Sequence, residues 1–145
     1  MFTEPLAEIY RKLRLYFYRE VALQSSQNTL TFSESFCLEA IYSLGEPTIN
    51  TFAQFMNISS PNATYKVNSL VQKGYLKKVR SAEDRREYHL VVTDKFSTFH
   101  EINTRGYEKT MERICHTFTE EELATLDQFM NRINDELVES PPLTS

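Results

Sequence analysis

Glycine and proline are scarce in this sequence, three and five in 145 residues, which argues for long helices and few tight turns. Cysteine is scarcer still, and Cys37 and Cys115 lie too far apart to suggest a disulfide framework. No apolar run approaches the roughly 18 residues that a membrane span needs. Met1 to Arg14 mixes charged and apolar residues and holds no signal-peptide core. The expected setting is therefore cytoplasmic, with no membrane partner. The motifs of catalysis are missing too: no Gly-rich phosphate loop, no Gly-x-Ser-x-Gly elbow, no His-Glu-x-x-His pair and no Cys-x-x-Cys. The sequence reads as no enzyme, and it calls for no cofactor and no metal.

What is present is ordinary in bulk, with 41% hydrophobic and 25% charged residues, and the length suits one domain with a full core. The charge is unevenly placed. From Ser59 to His89 there are seven Lys or Arg (66, 73, 77, 78, 80, 85, 86) against Glu83, Asp84 and Glu87. That segment carries +4 in a chain of net −4, leaving −8 elsewhere. A basic segment on an acidic body suits one local phosphate-facing surface. Chance clustering of solvated lysines is the plain alternative.

Periodicity sets the order of elements. Leu6, Ile9, Leu13, Tyr16 and Phe17 recur at helical spacing from about Pro5 to Leu23, with Tyr10 and Tyr18 widening the stripe. Gln24 to Asn28 reads as a polar loop. A second helix starts near Ser33, with Thr31 and Glu34 at capping-box spacing and Gly45 as its left-handed end. A short third helix, about Thr48 to Met56, leads through the turn Asn57-Ile58-Ser59 to a fourth. The fourth is capped by Ser59 or Ser60, opens with Pro61 and stops at Gly74. The period then changes to alternation: a strand from Tyr75 to Arg80, a charged loop over 81–86, and a returning strand from Glu87 to Val92. A long helix capped by Thr93 reaches about Phe118, with Phe96, Phe99, Ile102, Gly106 and Met111 near its inner side. Thr119 and Glu122 form another capping box, and Leu123, Leu126, Met130, Ile133 and Leu137 make a near-heptad seam on the last helix. Ser140 to Ser145 reads as a tail. The fold class is mainly α with a small β-hairpin wing: a winged helix–turn–helix between N- and C-terminal helices.

The fourth helix offers a polar N-terminal face of Ser60, Asn62, Thr64, Tyr65, Lys66 and Ser69, and the small Ala53 allows the third helix to cross it closely. A major groove admits one helix, and the leading side chains reach base edges: Asn pairs with adenine, Lys reaches guanine, and the Thr methyl meets the thymine methyl. A solvent-exposed helix face is the plain alternative. Behind it, Lys78 and Arg80 on the first strand and Asp84, Arg85 and Arg86 in the loop form a basic hairpin tip. Such a tip can push an arginine into a narrow minor groove, with a carboxylate bracing its guanidinium.

Over Ile58 to Thr93 the sequence resembles the recognition helix and wing of the MarR family, the multiple-antibiotic-resistance regulators. The resembling residues are Leu70-Val71-Gln72-Lys73-Gly74, the Asp-x-Arg of Asp84-Arg85-Arg86, and a strand leading to a threonine-capped helix. The order and length of the flanking helices extend the resemblance over nearly the whole chain. Two departures are Phe96, where that family usually has glycine, and Val92 in place of leucine. The resemblance implies a transcriptional repressor, with Arg86 in the minor groove, Asp84 as its brace and residues 60–66 as base readers. It also implies a homodimer on a pseudo-palindromic double-stranded operator. The lobe would span about 30–92, with dimerisation helices over about 1–28 and 93–139 and a tail at 140–145.

Apolar stripes on the first and last helices agree with such an interface, though they could also pack against each other within one chain. Relatives often bind small aromatic or lipophilic effectors, for which Tyr10, Phe17, Phe36, Tyr42 and Phe99 are the candidate lining, against the plain reading that they are core. Cys37, on an apolar helix face with no basic neighbour in sequence, reads as a buried structural thiol, with a redox sensor as the alternative. Cys115, His116 and His100 lack the spacing of a zinc site. The rival to DNA binding is a winged-helix protein-interaction module, against which the retained basic residues speak.

Overall fold

The computed structural model describes residues 1–25 and 30–139, so residues 26–28 of the expected loop and the tail lie outside the described residues. Six helices and one hairpin follow in order: α1 (Thr3–Ser25), α2 (Phe32–Leu44), α3 (Ile49–Phe55), α4 (Ser60–Gln72), β1 (Leu76–Arg80), β2 (Tyr88–Val92), α5 (Asp94–Cys115) and α6 (Glu120–Glu139). This is the mainly α fold with a β-hairpin wing. None of the described helices is long and apolar enough to cross a membrane.

The ends of these elements follow from local chemistry. Thr31 caps α2 in a complete capping box, its hydroxyl accepting Glu34 N–H while Glu34 accepts Thr31 N–H. Thr119 and Glu122 repeat the device before α6. α4 ends in a Schellman arrangement: Gly74 N–H donates to the Val71 carbonyl, Tyr75 N–H to the Leu70 carbonyl, and Gly74 takes φ +85°. Tyr75 therefore belongs to the helix end, and β1 begins one residue later than alternation suggested. Glu87 likewise closes the loop by donating its N–H to the Asp84 carbonyl, so β2 starts at Tyr88.

Two helix limits differ from the sequence expectation. α1 starts at Thr3, which puts Pro5 third in the helix, still among the N–H groups that need no intrahelical partner. It runs on through Gln24 and Ser25, where a loop was expected. α5 stops at Cys115, and Thr117 and Phe118 turn back onto the Ile114 and Cys115 carbonyls instead of continuing the helix.

Residues 1–103 form one compact unit and the chain from Thr104 onward another. The first unit holds the core: Leu38, Ile41, Phe52, Ala63, Val67, Leu70, Leu90 and Phe96 are fully buried. Phe96, the departure from the family pattern, is core, its ring set against Tyr42, Phe99 and His100. β1 and β2 pair antiparallel, Leu76 with Val92 through to Arg80 with Tyr88. The stretch before α3 joins them, through Leu90 N–H to the Pro47 carbonyl and a bridge between Thr48 and His89. Thr93 fastens the hairpin to α5: its N–H donates to the Tyr75 carbonyl and its hydroxyl to the Gly74 carbonyl at 2.6 Å. α1 buries Val21 but leaves Leu6, Ile9 and Leu13 exposed, and in the second unit α6 leaves Leu126, Met130 and Leu137 exposed.

Candidate nucleic-acid interface

The turn between α3 and α4 is fixed by a second Schellman arrangement. Asn57 N–H donates to the Gln54 carbonyl and Ile58 N–H to the Ala53 carbonyl. Asn57 takes φ +50°, a conformation in which asparagine is tolerated better than most residues. Ser59, not Ser60, is the cap of α4, its hydroxyl accepting Asn62 N–H, and Pro61 is the second helical residue. Ala53 and Ala63 are both buried, which lets the two helices come close.

Helical geometry then divides the side chains of α4 into faces. Ala63, Val67 and Leu70 are in the core. Pro61, Asn62, Tyr65, Asn68 and Gln72 are exposed, Tyr65 at 74%. Lys66, Ser69 and Lys73 lie half-buried on a flank that faces the start of α2. There Lys66 Nζ donates to Ser33 Oγ (3.2 Å), Ser69 Oγ to Glu34 Oε1 (2.8 Å), and Lys73 Nζ to Glu34 Oε2 (2.8 Å). Ser60 Oγ donates to Asn50 Oδ1 and Thr64 Oγ1 to the Ser60 carbonyl. Of the candidate readers, Asn62 and Tyr65 therefore stand outward, while Lys66 and Ser69 bond to α2.

The Glu34 carboxyl has a shifted titration. Burial pushes it up, but the Lys73 ammonium, Thr31 N–H and Ser69 hydroxyl outweigh this and hold it at about 2.

The wing lies beside the exposed face of α4. Lys78 Nζ donates to Asn68 Oδ1 at 2.5 Å, tying β1 to α4. Within the loop, Ser81 Oγ accepts the N–H groups of Glu83 and Asp84, and Asp84 Oδ1 accepts Arg86 N–H at 2.9 Å. Arg80 Nε donates to the Arg85 carbonyl at 2.7 Å, with its guanidinium 6.0 Å from the Tyr88 ring centre. Asp84 thus braces the backbone at Arg86. Among the described residues no ion pair joins it to the Arg86 guanidinium, which corrects the expected fork. Arg85 and Arg86 are exposed. Asn68 and Glu34 were missed as participants. Asn68 follows Tyr65 by three residues on one face, a signal present in the sequence. Glu34 was read as a helix cap only.

Of the five candidate pocket residues, Tyr42 alone lines the cavity between α2 and β2. Phe99 is in the core, its ring steeply inclined to that of Tyr75. The Phe17 ring is tilted against that of Tyr18, Phe36 is exposed on α2, and Tyr10 is exposed with Arg14 over its ring. Tyr42 lines a cavity of about 160 Å³ with Ile41, Leu90 and Val92. Cys37 is 1% exposed; burial pushes its thiol up, outweighing Lys66, which the fold brings near it, and the Ser33 hydroxyl. Among the described residues no three His, Cys, Asp or Glu are grouped to hold a metal ion.

The MarR family model matches residues 30–88. YpoP of Bacillus subtilis (strain 168), an uncharacterized HTH-type transcriptional regulator, is 24% identical over 133 residues, spanning 89% of this chain and 88% of YpoP. The crystal structure of Streptococcus pneumoniae FabT in complex with DNA is 25% identical, with a TM-score of 0.67 over 97% of both chains. The transcriptional regulator Tm0710 from Thermotoga maritima, 21% identical, shares the fold with a TM-score of 0.65 over 92% of this chain and 94% of its own.

Proposed function

We propose that this chain, whose residues 30–88 match the MarR family model, is a sequence-specific DNA-binding transcriptional regulator acting as a repressor. The observation that carries the reading is the exposed face of α4 standing beside a basic, internally braced wing, with Lys78 bonded to Asn68 between them. A helix face of amide and aromatic side chains suits base edges in the major groove, and lysines and arginines on one side of it suit the flanking phosphates. Asn62 and Tyr65, with Ser60 and Thr64 at the helix start, enter the major groove. Arg86 enters the adjacent minor groove, and Arg85 and Lys78 meet phosphate. Ser69 and Lys66 support the helix from its flank. FabT, similar along its whole length, has been solved with DNA.

The operator is read by a homodimer. The exposed Leu6, Ile9 and Leu13 of α1 and Leu126, Met130 and Leu137 of α6 form stripes that a second copy would cover. A two-fold protein reads a pseudo-palindrome with half-sites about one helical turn apart. Release by a small aromatic or lipophilic effector belongs to the same proposal. The effector must bind the DNA-incompetent state more tightly, or it shifts nothing.

Fluorescence anisotropy of the purified protein against the DNA upstream of its own gene, with a scrambled duplex as control and at two salt concentrations, tests the reading. Tight, salt-sensitive and selective binding is expected. Binding that stays weak and unselective there and on other candidate operators would favour a protein-interaction module instead.

A further inference from the structure

Three side chains of α4 turn away from the face offered to DNA and hold the first turn of α2. Lys66, Ser69 and Lys73 follow one another at i, i+3 and i+7, a single stripe along the helix. Lys66 donates to Ser33; Ser69 and Lys73 both donate to Glu34, Lys73 to its two oxygens at 2.9 and 2.8 Å. Glu34 Oε2 also accepts Thr31 N–H at 2.8 Å, as the capping box requires. One carboxylate, itself only 16% exposed, therefore joins the start of α2 to the last turns of α4.

We propose that Glu34 is a positioning residue for sequence reading: through Ser69 and Lys73 it fixes the roll of α4, and so decides which side chains of the Asn62, Tyr65 and Asn68 face meet a base edge. This rests on the DNA-reading function proposed above. The buried face of α4 is Ala63, Val67 and Leu70, small and aliphatic. Such contacts hold the helix down, but they are not directional and set its rotation weakly. Hydrogen bonds to a carboxylate are directional and charge-assisted, and here they act at two points one turn apart on one flank. A roll of a few degrees moves an outward Asn or Tyr tip sideways, which a phosphate tolerates and a bidentate base contact does not. The same pairing neutralises Lys73, so the basic segment presents less charge to phosphate than its composition suggests.

Glu34→Gln separates these effects. Glutamine also serves at this position of a capping box, but it no longer neutralises Lys73 or fixes it in a charged pair. The probe is a duplex selected by the wild-type protein from a random-sequence pool, with a scrambled duplex of equal length beside it. Binding of both is measured for the full-length wild type, Glu34→Gln and Ser69→Ala. The expected result for Glu34→Gln is about a tenfold loss on the selected duplex, the size of one poorly read base pair. On the scrambled duplex its affinity rises, because the Lys73 charge is released. Ser69→Ala, which changes no charge, loses affinity on the selected duplex and leaves the scrambled one unchanged. Partial unfolding lowers both affinities by the same factor, so a parallel loss in the two variants overturns the proposal, as does a wild-type ratio in both. If the wild type selects no sequence, the DNA-reading function falls and this inference with it. If it selects one and Glu34→Gln reads it equally well, only the positioning role falls.

Discussion

Asp84 holds Arg86 by the backbone: its Oδ1 accepts the Arg86 N–H at 2.9 Å. The carboxylate thus shapes the wing loop, together with Ser81 Oγ under Glu83 and Asp84 and Arg80 Nε on the Arg85 carbonyl. What the loop gains is a fixed backbone from which Arg85 and Arg86 project into solvent. This makes Asn and Ala different substitutions at residue 84. Asn keeps an acceptor for the amide and removes a negative charge, so Asp84→Asn should bind duplex DNA at least as well as wild type. Asp84→Ala loses the acceptor and should weaken binding to the selected duplex by about 1 kcal/mol, the usual worth of such a hydrogen bond. Anisotropy titrations of the two variants decide it. Equal weakening by both would mean that the carboxylate charge matters, and that the backbone contact does not carry the effect.

Lys78 and Asn68 share one hydrogen bond but carry different chemistry toward DNA. Removing Lys78 removes a phosphate partner, so Lys78→Ala should weaken selected and scrambled duplexes alike and reduce the slope of log affinity against log salt by about 1. Asn68→Ala leaves the charge and should weaken the selected duplex alone. Arg86→Ala should cost about 1–3 kcal/mol on the selected duplex if the arginine lies in the minor groove. Wild-type affinity in Arg86→Ala would remove the wing from the reading surface.

Much of the framework was legible because its causes are local. Thr31 with Glu34, Thr119 with Glu122, and Gly45 and Gly74 at helix ends act within a few residues, and each does in the structure what its spacing implied. The turn at Asn57 is local too, but its left-handed residue is not glycine, so the signal was weaker. The faces of α4 were harder. Ser69 and Lys66 looked like readers because they are polar and share the helix with Asn62 and Tyr65. Their partners, Glu34 and Ser33, lie more than thirty residues earlier, and no periodicity within α4 points to them. The brace at Asp84 shows the limit from the other side: a spacing of two names the partner residue, Arg86, but not which of its groups is held.

The Glu34 network also sets an acid limit on stability. Its carboxyl titrates at about 2 in the folded chain against an ordinary value of 4.5. A depressed carboxyl stabilises the fold fully above its unfolded value and loses that contribution as pH falls through the folded one. The wild type should therefore lose an increment of about 1–3 kcal/mol, appropriate to charge-assisted hydrogen bonds, as pH falls from about 4.5 to 2. Glu34→Gln has no such group, so its deficit against wild type should be constant above pH 5 and shrink below it. Denaturant melts of both proteins across this range measure the difference. A deficit that stays constant down to pH 2 would mean that the pairing contributes nothing to the fold.

Cys37 offers a test of whether the buried thiol can act as a sensor. A thiol reacts as its thiolate, and burial disfavours the thiolate; the nearby Lys66 ammonium and Ser33 hydroxyl work in the opposite direction and lose. With 1% of its surface exposed, Cys37 must also wait for the core to open before a reagent reaches it. In Cys115→Ser protein, which isolates Cys37, a disulfide reagent at neutral pH should therefore react slowly in the native state and at once in denaturant. Cys37→Ala should then cost stability, by about 1 kcal/mol for the small cavity left, without changing how peroxide affects DNA binding. Rapid native-state labelling would instead mean that Lys66 and Ser33 outweigh burial at this site, and a peroxide response that disappears in Cys37→Ala would place a redox switch beneath the seam between α2 and α4.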